Sequence, residues 1–367
     1  VEGKRMHEEI VNRGFLDNDI VLGTALVDMY AKCGMLTQAQ QVLEELQGRN
    51  VVSWNALISG YAQQGQFHEA LDCFERMRSE GIFPNRVTFI CILKACGSVG
   101  AVVKGEEIHD EIMNMSFLEN DNVIGTALVD MYAKCGQLIK ALKTFEELSA
   151  RNAISWSALI AGYAEQGHGY EALNCFEQMQ SEGFSPDVVT FISLLKACGS
   201  VGAVSKGKQI HDEIVSRVLL KNHIVLGNAL VDMYAKCGML AKAEQVLKQL
   251  PIRVVASWNA LISVYSQHGQ GDEALKCFEW MQQEGLAPDE TTFVCLLRAC
   301  ASTGAINKGE KIYDDIVSRG LLEKNVLVGT ALVDMYAKCG ALAKAQQALE
   351  ELPMRDVVSW NALIGGY

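Results

Sequence analysis

Residues 51–77 read VVSWNALISGYAQQGQFHEALDCFERM, and the fold follows from them. Trp54, Leu57, Ile58 and Tyr61 stand at i, i+3, i+4 and i+7, which is one face of a helix. Gly65 interrupts that pattern, and Ala70, Leu71, Phe74 and Met77 then mark a second helix. Gly81 followed by Pro84 is the usual signature of a helix end. No run alternates with the period of a strand. A lone helix hairpin cannot bury its apolar stripe, so hairpins of this kind must stack on one another.

The rest of the chain supplies the stack. ALVDMYAKCG occurs four times, following Gly23, Gly125, Gly227 and Gly329, and Trp54, Trp156, Trp258 and Trp360 keep the same interval of 102 residues. Each interval divides into segments of 31, 35 and 36 residues: 20–50, 51–85 and 86–121; 122–152, 153–187 and 188–223; 224–254, 255–289 and 290–325. A 31-residue segment, 326–356, follows, and 1–19 and 357–367 are partial segments. Ten complete hairpins and two halves predict an all-α chain of about 22 helices.

Composition bounds the function. With 367 residues and 49% hydrophobic content the chain can bury a large core, and no run approaches the 18 apolar residues of a membrane span. The opening VEGKRMHEEI has no apolar signal core, so no transit peptide is expected in this chain. A net charge of −12 counts against a generic nucleic-acid binder, whose footprint is basic. The acidic residues recur in the second helices, for example Glu44, Glu45, Glu69 and Glu75, which stacking should turn outward and away from the first helices.

Catalytic motifs find little support. His7-Glu8-Glu9, His109-Asp110-Glu111 and His211-Asp212-Glu213 mimic the H-x-E of zinc deaminases but lack a P-C-x-x-C partner and become Tyr313-Asp314-Asp315 in the fourth copy. The 12 cysteines include no C-x2-C and read as buried, reduced thiols between helices. The expectation is therefore no enzyme, no metal and no cofactor.

Which solenoid this is depends on segment length. The Trp-x2-Leu-x3-Tyr pattern with Ala70 and Phe74 also suits a tetratricopeptide repeat, and a peptide-binding scaffold is the competing reading. Those repeats want a small residue where Ile58, Ile160 and Ile262 stand, and they do not cycle through 31, 35 and 36 residues. The cycle, carried by GTALVDMYAKCG, VVSWNALISGYAQQGQFHEALDCFERM and VTFICILKACGSVGAVVKGEEIH, resembles the S, P and L motifs of the plant pentatricopeptide repeat family, in its PLS class, over the whole chain. That resemblance implies a right-handed α-solenoid superhelix of helix-turn-helix motifs. Its inner groove would hold single-stranded RNA, about one nucleotide per motif, in a plastid or mitochondrion.

In this family the fifth and last residues of a motif select a base. The resemblance makes Thr24 with Asn50 and Thr126 with Asn152 adenine readers, and Asn55 with Asn85 a cytosine or pyrimidine reader. It makes Ser157 with Asp187 and Thr330 with Asp356 guanine readers, and Asn259 with Asp289 a uracil reader. Asn228 is paired with Val254, which cannot hydrogen-bond, so a weak pyrimidine preference is expected there; Asn361 is the fifth residue of the partial last motif. Ile90, Ile192 and Val294 hold the fifth place of the 36-residue motifs and should act as spacers. The implied target is 5′-A-C/U-n-A-G-n-Y-U-n-G-3′. Short polar side chains suit this task, because hydrogen bonds to a Watson–Crick edge are what distinguish unstacked bases.

Second residues Val52, Ile154 and Ala256 are implied to sandwich the bases, with a plain core role as the alternative; Trp54 and its counterparts read as core. Lys32, Lys134, Lys236 and Lys338 occupy the family's phosphate-facing place, where the other motifs have Gln63, Glu165 and Gln267 or Ser98, Ser200 and Ser302. So few cations predict modest affinity. The family's PLS members guide cytidine-to-uridine RNA editing and pair with multiple organellar RNA editing factor (MORF) proteins docking on L motifs. Both are implied here, as is RNA processing more broadly. Exposed half-motifs make end-to-end self-association a further expectation.

Overall fold

A computed structural model describes residues 2–12, 19–115 and 121–367. Parts of the expected segments 1–19 and 86–121 therefore lie outside the described residues. Among the described residues there are 23 α-helices, one 3₁₀ turn at Leu219–Lys221 and no strand. Setting aside the four-residue helix Leu321–Lys324 leaves 22 helices of nine residues or more.

The chain falls into two compact units, Val1–Asp187 and Val188–Tyr367. In the first, helices Ile20–Lys32, Val51–Gln63, Arg86–Val99, Asn122–Lys134 and Ala153–Glu165 pack side by side in chain order. Each is followed by a second helix that folds back on it, beginning with Leu36–Glu45 and Phe67–Ser79. In the second unit, Val188–Val201, Ile224–Lys236, Val255–Gln267, Glu290–Thr303, Val326–Lys338 and Val357–Gly366 form the equivalent row of first helices. Each unit is thus an all-α stack of hairpins.

Local chemistry sets the helix ends. Asn50 caps Val51–Gln63 by accepting from the N–H groups of Val52 and Ser53 (2.9 and 3.0 Å), and its own N–H donates to Ser53 Oγ at 3.1 Å. This reciprocal box satisfies donors that a helix start otherwise leaves orphaned. Beyond the helix, Gly65 takes a left-handed φ of 75°, letting the Gln66 N–H reach back to Tyr61 O at 2.9 Å.

Trp54, Leu57, Ile58 and Tyr61 are buried as their spacing requires, together with Ala70, Phe74 and Met77. Leu71 is half-buried, whereas Leu173 and Leu275 at its place are buried. Trp54, Trp156 and Trp258 are core: they are buried and donate Nε1–H to Glu80, Glu182 and Glu284 at 3.3, 3.1 and 3.1 Å. Trp360, in the last helix, is 47% exposed.

The histidine triplets resolve into packing. His7, His109 and His211 set Nδ1 at 3.0, 2.8 and 2.9 Å from the hydroxyls of Tyr30, Tyr132 and Tyr234, and Tyr313 takes the place against Tyr336. No group of three or more potential metal ligands gathers among the described residues, and no helix there is long and apolar enough to cross a membrane. Cys73, Cys96, Cys198 and Cys277 are buried, which pushes each thiol up to about 12. The expectation of uniformly buried thiols is corrected at five places: Cys33 is exposed, and Cys91, Cys135, Cys237 and Cys339 are half-buried at the edges of helix contacts.

Candidate nucleic-acid interface

Helical geometry puts the second, fifth and ninth residues of a first helix on one face. In the first unit Val21, Thr24, Asp28, Val52, Asn55, Ser59, Asn85 and Val87 line one cavity of about 460 Å³ across three successive first helices. In the second unit an equivalent cavity of about 560 Å³ is lined by Val294, Arg298, Leu327, Thr330, Asp334, Val358 and Asn361. The row of first helices therefore carries a groove in each unit.

Two of the expected residue pairs meet directly. Asn55 Nδ2 donates to Asn85 Oδ1 at 2.9 Å, and Asn259 Nδ2 donates to Asp289 Oδ1 at 2.9 Å. A threonine fixes each amide: Thr88 Oγ1 donates to Asn55 Oδ1, and Thr292 Oγ1 to Asn259 Oδ1, both at 2.7 Å. Burial alone would raise the Asp289 pKa. Hydrogen bonds from the Thr292 N–H and hydroxyl and from Asn259 outweigh it and hold the carboxyl below its ordinary value.

Thr126 and Ser157 are buried and donate to the carbonyls of Asn122 and Ala153 at 2.7 and 2.8 Å. Thr24 Oγ1, Asn228 Oδ1 and Thr330 Oγ1 are buried without a hydrogen-bond partner, three of only six such atoms among the described residues. Unmet polar capacity of this kind is unusual in a folded core and repeats here at one motif position. Ile90, Ile192 and Val294 are half-buried, and Asn361 and Asp187 are exposed.

The last residue of a motif has a second role that the sequence reading missed: it is the N-cap of the next first helix. Asn50, Asn85, Asn152, Asp289 and Asp356 each accept from the N–H of the residue three on, at 3.0, 3.2, 2.8, 2.8 and 2.7 Å. Val254 offers no side-chain cap to Val255–Gln267. The spacing Asn-x-x-Ser or Asp-x-x-Thr was the available signal.

Second residues are not core. Val52 is 57% and Ile154 67% exposed, and Ala256 is exposed too, which overturns the core alternative for all three. Val21, Val87, Val123, Val189, Val225, Leu327 and Val358 share the position and are also exposed, a run of apolar groups that sequence reading left out. Their signal was an apolar residue off the buried stripe.

Lys32, Lys134, Lys236 and Lys338 end their helices exposed but engaged. Each bonds the aspartate four residues earlier: Asp28, Asp130, Asp232 and Asp334, at 2.6, 2.6, 2.7 and 2.8 Å. Those aspartates were legible from i,i+4 spacing, and Asp28 and Asp334 place acid in the groove wall itself, whereas Glu44, Glu45, Glu69 and Glu75 are exposed on second helices as expected.

Sequence comparison agrees with this arrangement. A family model described as PPR repeat family matches residues 49–98, 151–200 and 253–302, and one described as PPR repeat matches 24–51, 126–152, 228–252 and 291–321, together more than half of the chain. The chain belongs to the pentatricopeptide repeat family. This decides against the tetratricopeptide alternative. A chloroplastic pentatricopeptide repeat-containing protein of Arabidopsis thaliana is 37% identical over 100% of this chain and 58% of its own length. A mitochondrial one from the same plant is 35% identical over 100% of this chain and 52% of its own. The chain spans about half the length of the curated relatives it matches. Among solved structures, the pentatricopeptide repeat protein PPR10 in complex with an 18-nt psaJ RNA element aligns with a TM-score of 0.76 at 22% identity, covering 94% of this chain and 52% of that one. A further structure of PPR10 from maize gives a TM-score of 0.58 at 22% identity over 100% of this chain and 63% of its own. These likenesses support the α-solenoid fold.

Proposed function

We propose that this pentatricopeptide repeat array binds single-stranded RNA sequence-selectively, one nucleotide per motif. The observation that carries the reading is the meeting of fifth and last residues at Asn55–Asn85, on an apolar-lined groove, repeated in the same geometry at Asn259–Asp289.

Hydrogen-bond accounting at these pairs gives the base preference a mechanism. Asn259 spends its oxygen on Thr292 and one amide proton on Asp289, leaving one N–H for a base carbonyl. Asp289, ionised, is an acceptor only and takes the N3–H of uracil. At Asn55–Asn85, the Asn85 oxygen is occupied by Asn55 and the Val87 and Thr88 N–H groups, so its amide presents donors instead. Two donors match the N3 and O2 acceptors of cytosine. Exposed second residues such as Val52 and Ile154 would flank each base, and Thr24 Oγ1 and Thr330 Oγ1 would find partners on bound bases.

The division into S, P and L motifs, the PLS class and the target 5′-A-C/U-n-A-G-n-Y-U-n-G-3′ belong to this proposal. So do a targeting role in organellar cytidine-to-uridine editing, a MORF partner on L motifs, and residence in a plastid or mitochondrion. Relatives carrying chloroplastic and mitochondrial names support the last. Asp289→Asn keeps the cap and exchanges an acceptor for a donor, so preference at that nucleotide should move from U to C. Asn259→Thr should move it from U toward G. Binding measured against RNAs varied at that nucleotide tests both, and unchanged preference in both variants refutes the reading.

A further inference from the structure

The 36-residue motifs combine an apolar fifth residue with a cation one turn later: Ile90 with Lys94, Ile192 with Lys196, and Val294 with Arg298. In the second unit Val294 and Arg298 line the groove beside Thr330 and Asp334. In the first, Lys94 stands seven residues beyond Val87, two turns along the face that lines the groove there. All three cations are exposed.

Their electrostatic situation differs from that of the lysines in the next motif. Lys134, Lys236 and Lys338 are held by Asp130, Asp232 and Asp334. No ion pair among the described residues engages Lys94, Lys196 or Arg298. Ahead of three of the four 31-residue motifs, 122–152, 224–254 and 326–356, thus stands one cation with no ion-pair partner among the described residues, and each of those motifs carries an aspartate that already has one. A chain with a net charge of −12 has carboxylates in excess, and these three positions remain unmatched.

We propose that Lys94, Lys196 and Arg298 bind phosphodiester oxygens of the RNA strand, so that the motif with no base-reading fifth residue holds the backbone while its neighbours read bases. This rests on the RNA-binding reading above. The position holds two lysines and one arginine, which suits attraction of a diffuse negative charge and does not suit bidentate recognition of one base edge. It also answers the shortage of phosphate contacts, since the paired lysines must first release an aspartate.

The test is the triple variant Lys94→Gln, Lys196→Gln, Arg298→Gln, titrated into fluorescein-labelled target RNA and a scrambled RNA between 50 mM and 1 M salt. Single-stranded RNA loses about 0.7 in the slope of log K against log salt per phosphate contact, so the triple variant should lose about 2, or roughly a hundredfold in affinity at 0.1 M salt. The target-to-scrambled ratio should not change. Lys134→Gln, Lys236→Gln, Lys338→Gln should lose less slope, and a larger loss there overturns the assignment. A triple variant with wild-type slope and affinity overturns it while leaving RNA binding intact. Loss of the target preference at constant slope assigns the residues to base reading and also overturns it. Wild-type protein that binds neither RNA overturns the RNA reading itself, and this inference with it.

Discussion

Asn152 tests the proposal that one side chain, seen here to cap a helix, also reads a base. It precedes helix Ala153–Glu165 at φ −143° and ψ 171°, accepts from the Ser155 N–H at 2.8 Å, and donates its own N–H to Ser155 Oγ at 3.1 Å. Asn152→Ala removes the first bond and leaves the second, because that one uses the backbone. The lost cap should cost about 1 kcal/mol, with Asn152→Gly costing only a few tenths and Asn152→Asp close to nothing. For a unit of this size 1 kcal/mol lowers Tm by about 2–4 °C. Urea unfolding followed by circular dichroism reads the series, with midpoints moving and m constant. If Ala and Gly are equally costly, or Asp is as harmful as Ala, the capping account of the last residue is refuted. Binding to RNA varied at the matching nucleotide should separate the roles. Asp retains the cap while moving preference from adenine toward guanine, and Ala loses both.

Val254→Asn should stabilise the protein by about 0.5–1 kcal/mol, since an Asn cap is worth about 1 kcal/mol against the contacts of a half-buried valine; a lower urea midpoint sinks this expectation. Trp156→Ala removes a buried ring and its bond to Glu182 and should cost about 3–5 kcal/mol; an unchanged midpoint would mean that Trp156 is not core. Asp289 has a depressed folded pKa, so its contribution is present above the unfolded value and lost as pH falls through the folded one. The gap in stability between wild type and Asp289→Asn should therefore shrink on acidification below about pH 4, and a gap that widens would contradict the assignment. Cys33 should react fast with a thiol reagent in native protein, while Cys73, Cys96, Cys198 and Cys277 wait for unfolding; equal rates would contradict the burial described.

What was legible in the sequence followed from periodicity. The stripe through Trp54, Leu57, Ile58 and Tyr61 defined a helix face, and Gly65 and Gly81 defined ends that adopt the left-handed φ a side chain resists. A repeat without insertions carried that reading along the whole chain. The fifth and last residues could be paired on paper because of the family resemblance, and two pairs are in contact. Composition could not reveal which of two valid local rules applied to a residue. Asn50 and Asn85 satisfy both the capping rule and the base-reading pattern, and only the second was seen. Val52 stands two residues before Trp54, about 160° around the helix from it, so its place off the buried stripe was legible; its apolar character alone kept a core role open. Lys32 looked free because its partner Asp28 was counted on another face of the problem, as part of net charge. The cations at Lys94, Lys196 and Arg298 were overlooked for the converse reason. Total charge hides three unpaired groups among 32 basic residues.

The most direct test of the central claim is binding of wild-type protein to fluorescein-labelled 5′-A-C-n-A-G-n-C-U-n-G-3′ and to a scrambled RNA of equal composition, followed by anisotropy at 0.1 M salt. Tighter binding of the ordered sequence, with the advantage retained as salt rises, is the predicted result. Equal affinity for both, or binding to neither, contradicts a sequence-selective RNA groove.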